Sequence, residues 1–174
     1  MPLPKGFVQV YTGDGKGKTT AVIGLAVRAI GAGLRVYLAQ FLKQGDYSEI
    51  KALSQFKDRI TIVQFGSGRF VLGKPSDSDR ALAAKGLAAA CQALTSGDYD
   101  VVILDEANVA ASLGLISVAA ILDLVRQKPR AVELVVSGRG AAPEIIAAAD
   151  LVTEVKVIKH YYDAGVEART GIEK

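Results

Sequence analysis

The residues best suited to chemistry lie near the N-terminus, where a short apolar segment leads into a loop of glycines and lysines. Residues 12–20 read TGDGKGKTT, and an apolar helical pattern follows them. The order of strand, loop and helix, with Gly17, Lys18 and Thr19 in sequence, is the context in which the pattern G-x-x-x-x-G-K-S/T forms a phosphate-binding loop. Thr12 stands where that pattern has its first glycine. The alternative is a glycine-rich turn that simply precedes a helix.

The residue types of this loop suit a polyphosphate that is bound together with a divalent metal. Glycines let the backbone turn so that several N–H groups point at one anion, and the following helix adds the positive end of its dipole. The lysine supplies a point charge, and the threonine after it can place its hydroxyl on Mg²⁺. We therefore predict a nucleoside triphosphate site made by Gly13, Asp14, Gly15, Lys16, Gly17, Lys18, Thr19 and Thr20.

An acidic pair follows a nearly continuous apolar segment, VVILDE at residues 101–106. An acid at the end of a buried strand is costly unless it has a charged partner. In a phosphate-loop protein that partner is Mg²⁺, which Thr19 and either Asp105 or Glu106 would hold directly or through water. The alternative is an acid that caps the next helix.

Four other side chains are of chemical interest. Arg139 lies between glycines in SGRG and suits a phosphate or carboxylate, although a solvated surface arginine would give the same pattern. Phe70, in the expected loop over residues 66–78, is either loop packing or a wall for a flat ligand. His160 and Cys91 are too far apart in sequence to indicate a zinc site. We expect a partly buried, hydrogen-bonded His160 and a small, buried Cys91.

Strand-like and helix-like segments alternate along the chain. Such alternation predicts a parallel sheet covered by helices on both faces, with the site beyond the carboxyl ends of the strands. With the glycine loop, it predicts an α/β, P-loop NTPase-like (RecA-like) three-layer sandwich around a mostly parallel sheet of about six strands. Expected strands cover residues 7–11, 35–41, 60–65, 100–106, 131–140 and 151–159, and expected helices cover residues 18–33, 47–56 (with Ser48 as N-cap), 79–97, 117–128 and 142–150.

Composition narrows the class of protein. The chain has 174 residues, of which 50% are hydrophobic and 6% aromatic, and this predicts a single domain over residues 1–174 with an aliphatic core. A net charge of +3 without a basic cluster does not indicate nucleic acid as a partner. One cysteine, no signal-peptide pattern and no apolar segment of about 20 residues lead us to expect a cytoplasmic protein without a membrane partner.

Several segments together resemble one known family. They read YTGDGKGKTTAVIGLAVRAIGAG, VVILDEAN, VVSGRGAAPEIIAAADLVTEVK and KHYYDAGVEARTGIE. From about residue 6 to its C-terminus the chain resembles the ATP:corrinoid adenosyltransferases of the CobA/CobO/BtuR type, also called cob(I)yrinic acid a,c-diamide adenosyltransferases. Threonine in the first slot of the loop is typical of that family. The ending K-H-x-x-D-A-G-V-x-A-x-x-G-I-E is the more specific signature, because phosphate-loop proteins at large do not share it.

The resemblance implies an unusual use of ATP. The family transfers the 5′-deoxyadenosyl group of ATP to the cobalt of a reduced Co(I) corrinoid and releases triphosphate. It implies that ATP lies in the loop in reversed sense, with its 5′ carbon toward the cobalt. A homodimer and a flavoprotein reductant are further expectations. Carried over by position, the catalytic residues would be Lys18, Glu106 and Arg139, the Mg²⁺ ligands Thr19, Asp105 and Glu106, and the corrinoid contact Phe70.

The chain departs from the family pattern on the corrinoid side. Family members often carry an N-terminal extension that helps cover the corrinoid, whereas the first strand here is expected at residue 7. The family loop often reads G-F-x-W, and this chain keeps the aromatic as Phe70 but has Leu72 in place of the tryptophan. Ala107 stands where the family often has a larger apolar residue.

Two other functions fit the glycine loop. A general P-loop ATPase or small-molecule kinase would act on the γ-phosphoryl group, with Glu106 placed to activate water. A non-catalytic module would bind nucleotide or corrinoid and pass it to a partner. Adenosylation of Co(I) needs no protein base, because Co(I) is itself a strong nucleophile, and this agrees with the lack of a catalytic His or Cys constellation.

Overall fold

A single sheet of six parallel strands organises the residues that the structure, a computed structural model, describes: 3–69 and 73–173. The strand order is β3-β2-β4-β5-β1-β6, so the predicted α/β fold with a parallel sheet is confirmed. In chain order the elements are β1 (Val8–Thr12), α1 (Lys18–Gly31), β2 (Val36–Phe41), α2 (Ser48–Leu53), β3 (Ile60–Phe65), α3 (Asp77–Thr95), β4 (Val101–Asp105), α4 (Ala107–Ser112), α5 (Val118–Gln127), β5 (Glu133–Ser137), α6 (Pro143–Ala148) and β6 (Leu151–Glu154), with short 3₁₀ turns at Ser54–Phe56 and Tyr161–Ala164.

Helices cover both faces of the sheet, as the three-layer prediction requires. Alternate strand residues point to opposite faces, so Leu38 of β2 packs with α1 whereas Tyr37 and Phe41 pack with the helices on the other side. One core contains Val22 and Ala26 of α1, and the larger core joins α3, α4, α5 and α6 to the sheet. Strands β2 and β4 are buried along their whole length, which explains their nearly continuous apolar sequence.

Two predicted strands are shorter than expected for a physical reason. The strand expected at 151–159 ends at Glu154, because β1, the strand beside it at this edge of the described sheet, ends at the paired residue Thr12. The strand expected at 131–140 is Glu133–Ser137, and at Gly138 the backbone takes a positive φ of 127° that breaks the ladder.

Other local predictions were wrong. Ser48 was expected to cap α2, but it is the first helical residue, and Tyr47 occupies the cap position. Helix α4, directly after the acidic pair, was not predicted. Cys91 is only partly buried, with its Sγ 3.7 Å from Oε1 of Gln127, because α3 turns this position toward α5 rather than toward the sheet.

Within the described ranges, no helix combines the length and apolar character needed to cross a membrane.

Gly86 lets α3 approach the sheet closely. A Cβ added there would lie 2.8 Å from the Phe65 ring and 2.9 Å from the Phe41 ring, and both rings are buried. These phenylalanines end β3 and β2 at the carboxyl edge of the sheet. The glycine therefore sets the distance between α3 and the edge that carries the site.

Substitution of this glycine should reverse the usual effect of alanine in a helix. Alanine normally stabilises a helix interior over glycine by about 1 kcal/mol, and Gly24→Ala in α1 should show such a gain because nothing lies within 4 Å of its added Cβ. Gly86→Ala should instead lower the free energy of unfolding by about 1–3 kcal/mol, because the core is overpacked. Urea unfolding of both variants checks this, and equal stability of the two would contradict it.

Candidate functional site

The carboxyl ends of three adjacent strands, β4, β5 and β1, bring the predicted site residues together. The glycine loop follows β1, the acidic pair ends β4, and Arg139 follows β5, which lies between β1 and β4. Strand β2, on the other side of β4, ends shortly before Lys43. Ligands of open parallel sheets bind at this edge, so the topology unites segments that are far apart in sequence.

The glycines of the loop meet two different requirements. Gly13 and Gly17 have φ values of 92° and 123°, which side-chain-bearing residues rarely adopt. Gly15 is needed for close approach: its N–H donates to the Val155 carbonyl at 2.7 Å, and an added Cβ would lie 2.8 Å from that oxygen. The segment after β6 thus forms a wall against the loop.

Thr12, the residue in place of the expected glycine, is a structural part of the loop. It ends β1 in strand conformation, so no positive φ is required there. Its buried hydroxyl accepts a hydrogen bond from the backbone N–H of Ala141 at 3.2 Å, and its carbonyl accepts one from Val155 at 2.8 Å. Thr12 therefore connects the loop both to the Arg139 turn and to the segment after β6. A glycine at this position would keep the backbone contact with Val155 but would lose the side-chain contact with Ala141.

Lys18 is buried at the base of the loop, with 6% of its surface exposed. Its ammonium donates to the carbonyl of Gly15 at 2.6 Å, within its own loop. Burial lowers the pKa of Lys18, and the Arg139 guanidinium lowers it further, while Glu106 and Asp14 oppose this. An anion bound at this point would favour the charged lysine, as expected of a phosphate site.

Asp105 is fully buried and accepts hydrogen bonds from four side chains, which come from strands β2 and β5, the loop after β2 and helix α1. These groups surround both carboxylate oxygens, so the buried charge is fully solvated by the protein. The donors are Ser137 Oγ at 2.6 Å, Lys43 Nζ at 2.8 Å, Thr19 Oγ1 at 3.1 Å and Gln40 Nε2 at 3.2 Å.

A chain of amides orients Asp105 from the far side of the sheet. Gln40 pairs in register with Asp105, and its Oε1 accepts a hydrogen bond from Gln64 Nε2 on β3 at 3.0 Å. Gln64 Oε1 accepts in turn from the backbone N–H of Gly45, also at 3.0 Å. The conformation of the loop after β2 is therefore linked to the carboxylate on β4.

Glu106 lies in a strained backbone conformation beside Asp105. Its φ of 61° is in the left-handed region, and its N–H donates to Ser137 Oγ at 3.2 Å. Burial raises the pKa of Glu106 above its usual range, and the Asp105 carboxylate raises it further, against the opposing effect of Lys43. Left-handed strain and a raised pKa are both typical of functional sites.

Arg139 is exposed at the open side of the site. The turn that carries it has positive φ at Gly138 and Gly140, 127° and 67°. Asn108 of α4 fixes this turn, since its buried Nδ2 donates to the Gly138 carbonyl at 3.3 Å. The Arg139 guanidinium lowers the pKa of both Lys18 and Glu106, so its charge lies close enough to act on both groups.

The C-terminal segment with the signature sequence packs beside the glycine loop. Lys16 Nζ donates to the Ile172 carbonyl at 3.3 Å. Arg169 and Tyr161 hydrogen-bond to Glu173, and these contacts lower the pKa of Glu173 to about 2. His160 is partly buried as expected, with its Nδ1 accepting from the Tyr162 N–H at 3.1 Å.

Most of the predicted site residues thus share one edge of the sheet. Asp14, Lys16 and Thr20 lie on the exposed side of the loop, whereas Lys18 is buried and Thr19 half-buried. Phe70 and Leu72 lie outside the described residues. Sequence reasoning missed four members of the site, although each is a polar residue within two residues of the end of an apolar strand: Gln40, Lys43, Gln64 and Ser137.

The donor set suits a hard cation that also takes ligands from a substrate. Among the described residues, no group of three His, Cys, Asp or Glu side chains could hold a metal alone. Thr19 Oγ1 and Asp105 lie 3.1 Å apart, and the Lys43 ammonium already contacts both. Mg²⁺ usually binds through one or two protein carboxylates together with substrate phosphates and water. The hydroxyl of Thr19 and the carboxylates beside the phosphate loop match this pattern.

The fold and this edge of the sheet define a P-loop nucleotide-binding α/β protein. The likeness to a solved structure agrees: a KaiC-like protein of Pyrococcus horikoshii superposes with a TM-score of 0.60, at 16% identity, over 91% of this chain and 76% of that one. At that identity the likeness concerns the fold alone.

Comparison with known families identifies the family of this P-loop protein. The model of the ATP:corrinoid adenosyltransferase family BtuR/CobO/CobP matches residues 4–173, and the chain belongs to that family. The corrinoid adenosyltransferase of Pseudomonas aeruginosa is 34% identical over 97% of this chain and 84% of its own length. That of Escherichia coli K12 is 30% identical over 97% and 86%. Membership confirms the resemblance seen in the sequence and makes the protein a corrinoid adenosyltransferase.

Removal of the Thr12 hydroxyl should loosen the loop. Thr12→Val keeps the shape but removes the acceptor for the Ala141 N–H, so unfolding in urea should require about 1 kcal/mol less free energy. Thr12→Ser keeps the acceptor and should stay within about 0.5 kcal/mol of the parent protein. If Thr12→Val unfolds at the same urea concentration as Thr12→Ser, the hydrogen bond does not support the loop.

Neutralisation of Glu106 should stabilise the ligand-free protein. Because the folded state raises the pKa of this acid, ionised Glu106 opposes folding at pH 7, and the effect disappears below its unfolded pKa of about 4. Glu106→Gln should therefore gain on the order of 1 kcal/mol at pH 7 and little at pH 4. A loss of stability at pH 7, measured by thermal unfolding, would show that the carboxylate is favourably paired instead.

Proposed function

We propose that this protein transfers the 5′-deoxyadenosyl group of ATP to the Co(I) centre of a reduced corrinoid and releases triphosphate. The observation that carries the proposal is the joint position of the glycine loop, Asp105 and Arg139 at one edge of the sheet, in a member of the corrinoid adenosyltransferase family. Each supplies what a leaving triphosphate needs: convergent N–H groups, a site for a cation, and fixed positive charge.

The triphosphate is assigned to the loop over residues 13–20. Lys18 is the group best placed to stabilise the charge of the leaving triphosphate. Within the described part of the chain its ammonium donates to the Gly15 carbonyl at 2.6 Å, and an anionic phosphate is a stronger partner than a carbonyl. Arg139, exposed and near Lys18, approaches from the open side. Backbone N–H groups at the start of α1 complete the cradle.

Thr19, Asp105 and Glu106 are assigned to Mg²⁺. Bound there, the ion would neutralise phosphate oxygens and so stabilise triphosphate as a leaving group. The residues fit this role because Thr19 and Asp105 are held together by a hydrogen bond, and Glu106 adds a second carboxylate at the mouth of the site. Ser137 and Gln40 keep the Asp105 oxygens oriented.

The chemical step needs alignment rather than a protein base. The Co(I) lone pair attacks the 5′ carbon, the cobalt–carbon bond forms as the C5′–O5′ bond breaks, and the electron pair leaves with triphosphate, so cobalt is oxidised formally to Co(III). The protein contributes by fixing the 5′ carbon opposite the cobalt and by stabilising the leaving charge.

The remaining assignments follow the family. We propose that Phe70 contacts the corrinoid, that a flavoprotein supplies the electron that makes Co(I), and that the chain works as a single-domain homodimer in the cytoplasm. They are supported by the resemblance of the motifs and by membership of the family.

The proposal predicts both products and their dependence on Lys18. Protein, MgATP and chemically reduced corrinoid should yield the visible spectrum of an adenosylcorrinoid together with one triphosphate per turnover. Lys18→Ala should lower kcat/KM by at least about 100-fold, as the loss of a charge that stabilises a transition state does. Lys85→Ala, an exposed lysine on α3, is the matched control and should leave the rate unchanged.

Other outcomes separate the alternatives. Steady release of orthophosphate without corrinoid would identify an ATPase, and tight binding of ATP and corrinoid without turnover would identify a carrier. Near-normal adenosylation by folded Lys18→Ala would remove the loop from the mechanism. Circular dichroism of both lysine variants establishes that they are folded.

A further inference from the structure

Lys43 occupies the position between the two side chains assigned to the metal. Its Nζ lies 2.8 Å from Asp105 Oδ2 and 3.0 Å from Thr19 Oγ1. The Asp105 side chain is fully buried, and that of Lys43 is 17% exposed. One ammonium group therefore bridges a hydroxyl and a carboxylate that themselves lie about 3 Å apart, as a small metal ion would.

The backbone before Lys43 is held in an unfavourable conformation. Leu42, directly after β2, has a φ of 62°, and its N–H still pairs with the Phe65 carbonyl at 3.0 Å. Among the residues that the structure describes, Leu42 and Glu106 are the two non-glycine residues with positive φ. A positive φ is sterically unfavourable for such residues, and both lie just after the ends of the adjacent strands β2 and β4. The bend at Leu42 keeps the following lysine over the sheet edge.

The charge balance explains why a cation is needed there. Ser137, Gln40 and Thr19 hydrogen-bond to Asp105 but are neutral. A buried carboxylate without a counter-charge is strongly unfavourable. Within the described part of the chain, Lys43 is the cationic side chain in salt-bridge contact with Asp105.

We propose that Lys43 is a built-in counter-ion that occupies the metal position until nucleotide arrives. Because it competes for the same oxygens, free divalent metal binds poorly, and the metal enters together with a triphosphate whose charge draws Lys43 away from Asp105. This inference rests on the proposed function only in placing the metal at Thr19 and Asp105. It makes Lys43 a positioning residue that couples metal binding to nucleotide binding.

Metal binding without nucleotide tests the proposal directly. Mn²⁺ is titrated into nucleotide-free protein and free Mn²⁺ is followed by electron paramagnetic resonance. Lys43→Met should bind Mn²⁺ at least about tenfold more tightly than the parent protein, because a like charge about 3 Å from the ion is removed. Lys51→Met removes an exposed lysine whose ion pair is with exposed Asp46, so it is the matched control and should not change the affinity. Lys43→Met with Asp105→Asn should lose the gain.

Thermal unfolding gives a second readout. Without metal, Lys43→Met should melt at a lower temperature than the parent protein, and Mn²⁺ should restore more of its stability than it adds to the parent. If Lys43→Met does not fold, Lys43→Gln, which keeps a hydrogen-bond donor without charge, provides the same comparison.

An unchanged or weaker affinity for Mn²⁺ in a folded Lys43 variant would overturn the inference and leave Lys43 as a structural ion pair. This result is separate from the fate of the proposed function, because neither ATP nor corrinoid is present. Failure to form adenosylcorrinoid together with tighter Mn²⁺ binding would refute the function and retain the role of Lys43.

Discussion

A carboxylate at the buried end of β4 is the constraint on which the rest of the site depends. Asp105 has no exposed surface, so every oxygen lone pair must find a donor in the protein. This requirement accounts for a serine on β5, a glutamine on β2 and the first-turn threonine of α1, all aimed at one point. It also accounts for Lys43, the charged member of the set. Such a network is stable only when complete, and its cation is the member that a metal can replace.

A second constraint is the close approach of the segment that follows β6, which leaves no room for side chains at two positions of the glycine loop. Gly13 and Gly15 pass within contact distance of the Val155 carbonyl, so even a methyl group would collide there. Thr12 joins the same assembly through Ala141. The threonine that looked like a missing glycine is thus the residue that fastens the loop to its neighbours. The signature at the C-terminus lies against the loop through Lys16, so the two most specific motifs of the sequence form one structure.

The sequence was enough to predict what depends on local pattern. Alternating apolar segments predicted the six strands, and the G-K-T context placed the loop at the start of α1. Strand order, the short helix α4 and the early end of β6 depend on pairing between distant segments, which no local pattern encodes. The role of Gln40 and Gln64 depends on register, since they become one network only when β2 lies between β3 and β4. The sequence did not predict Lys43 as a site residue. Its position depends on the positive φ of Leu42, which is an uncommon conformation for leucine.

The central claim is that the loop presents the 5′ carbon of ATP, not its γ-phosphorus, to the nucleophile. ATP labelled with ¹³C at the 5′ position tests this most directly, because the fate of one carbon atom distinguishes the two ends of the nucleotide. After reaction with reduced corrinoid, the ¹³C spectrum should show the label bonded to cobalt and absent from any nucleotide product. Label that remains in ADP, with the γ-phosphoryl group transferred or hydrolysed, would contradict the account.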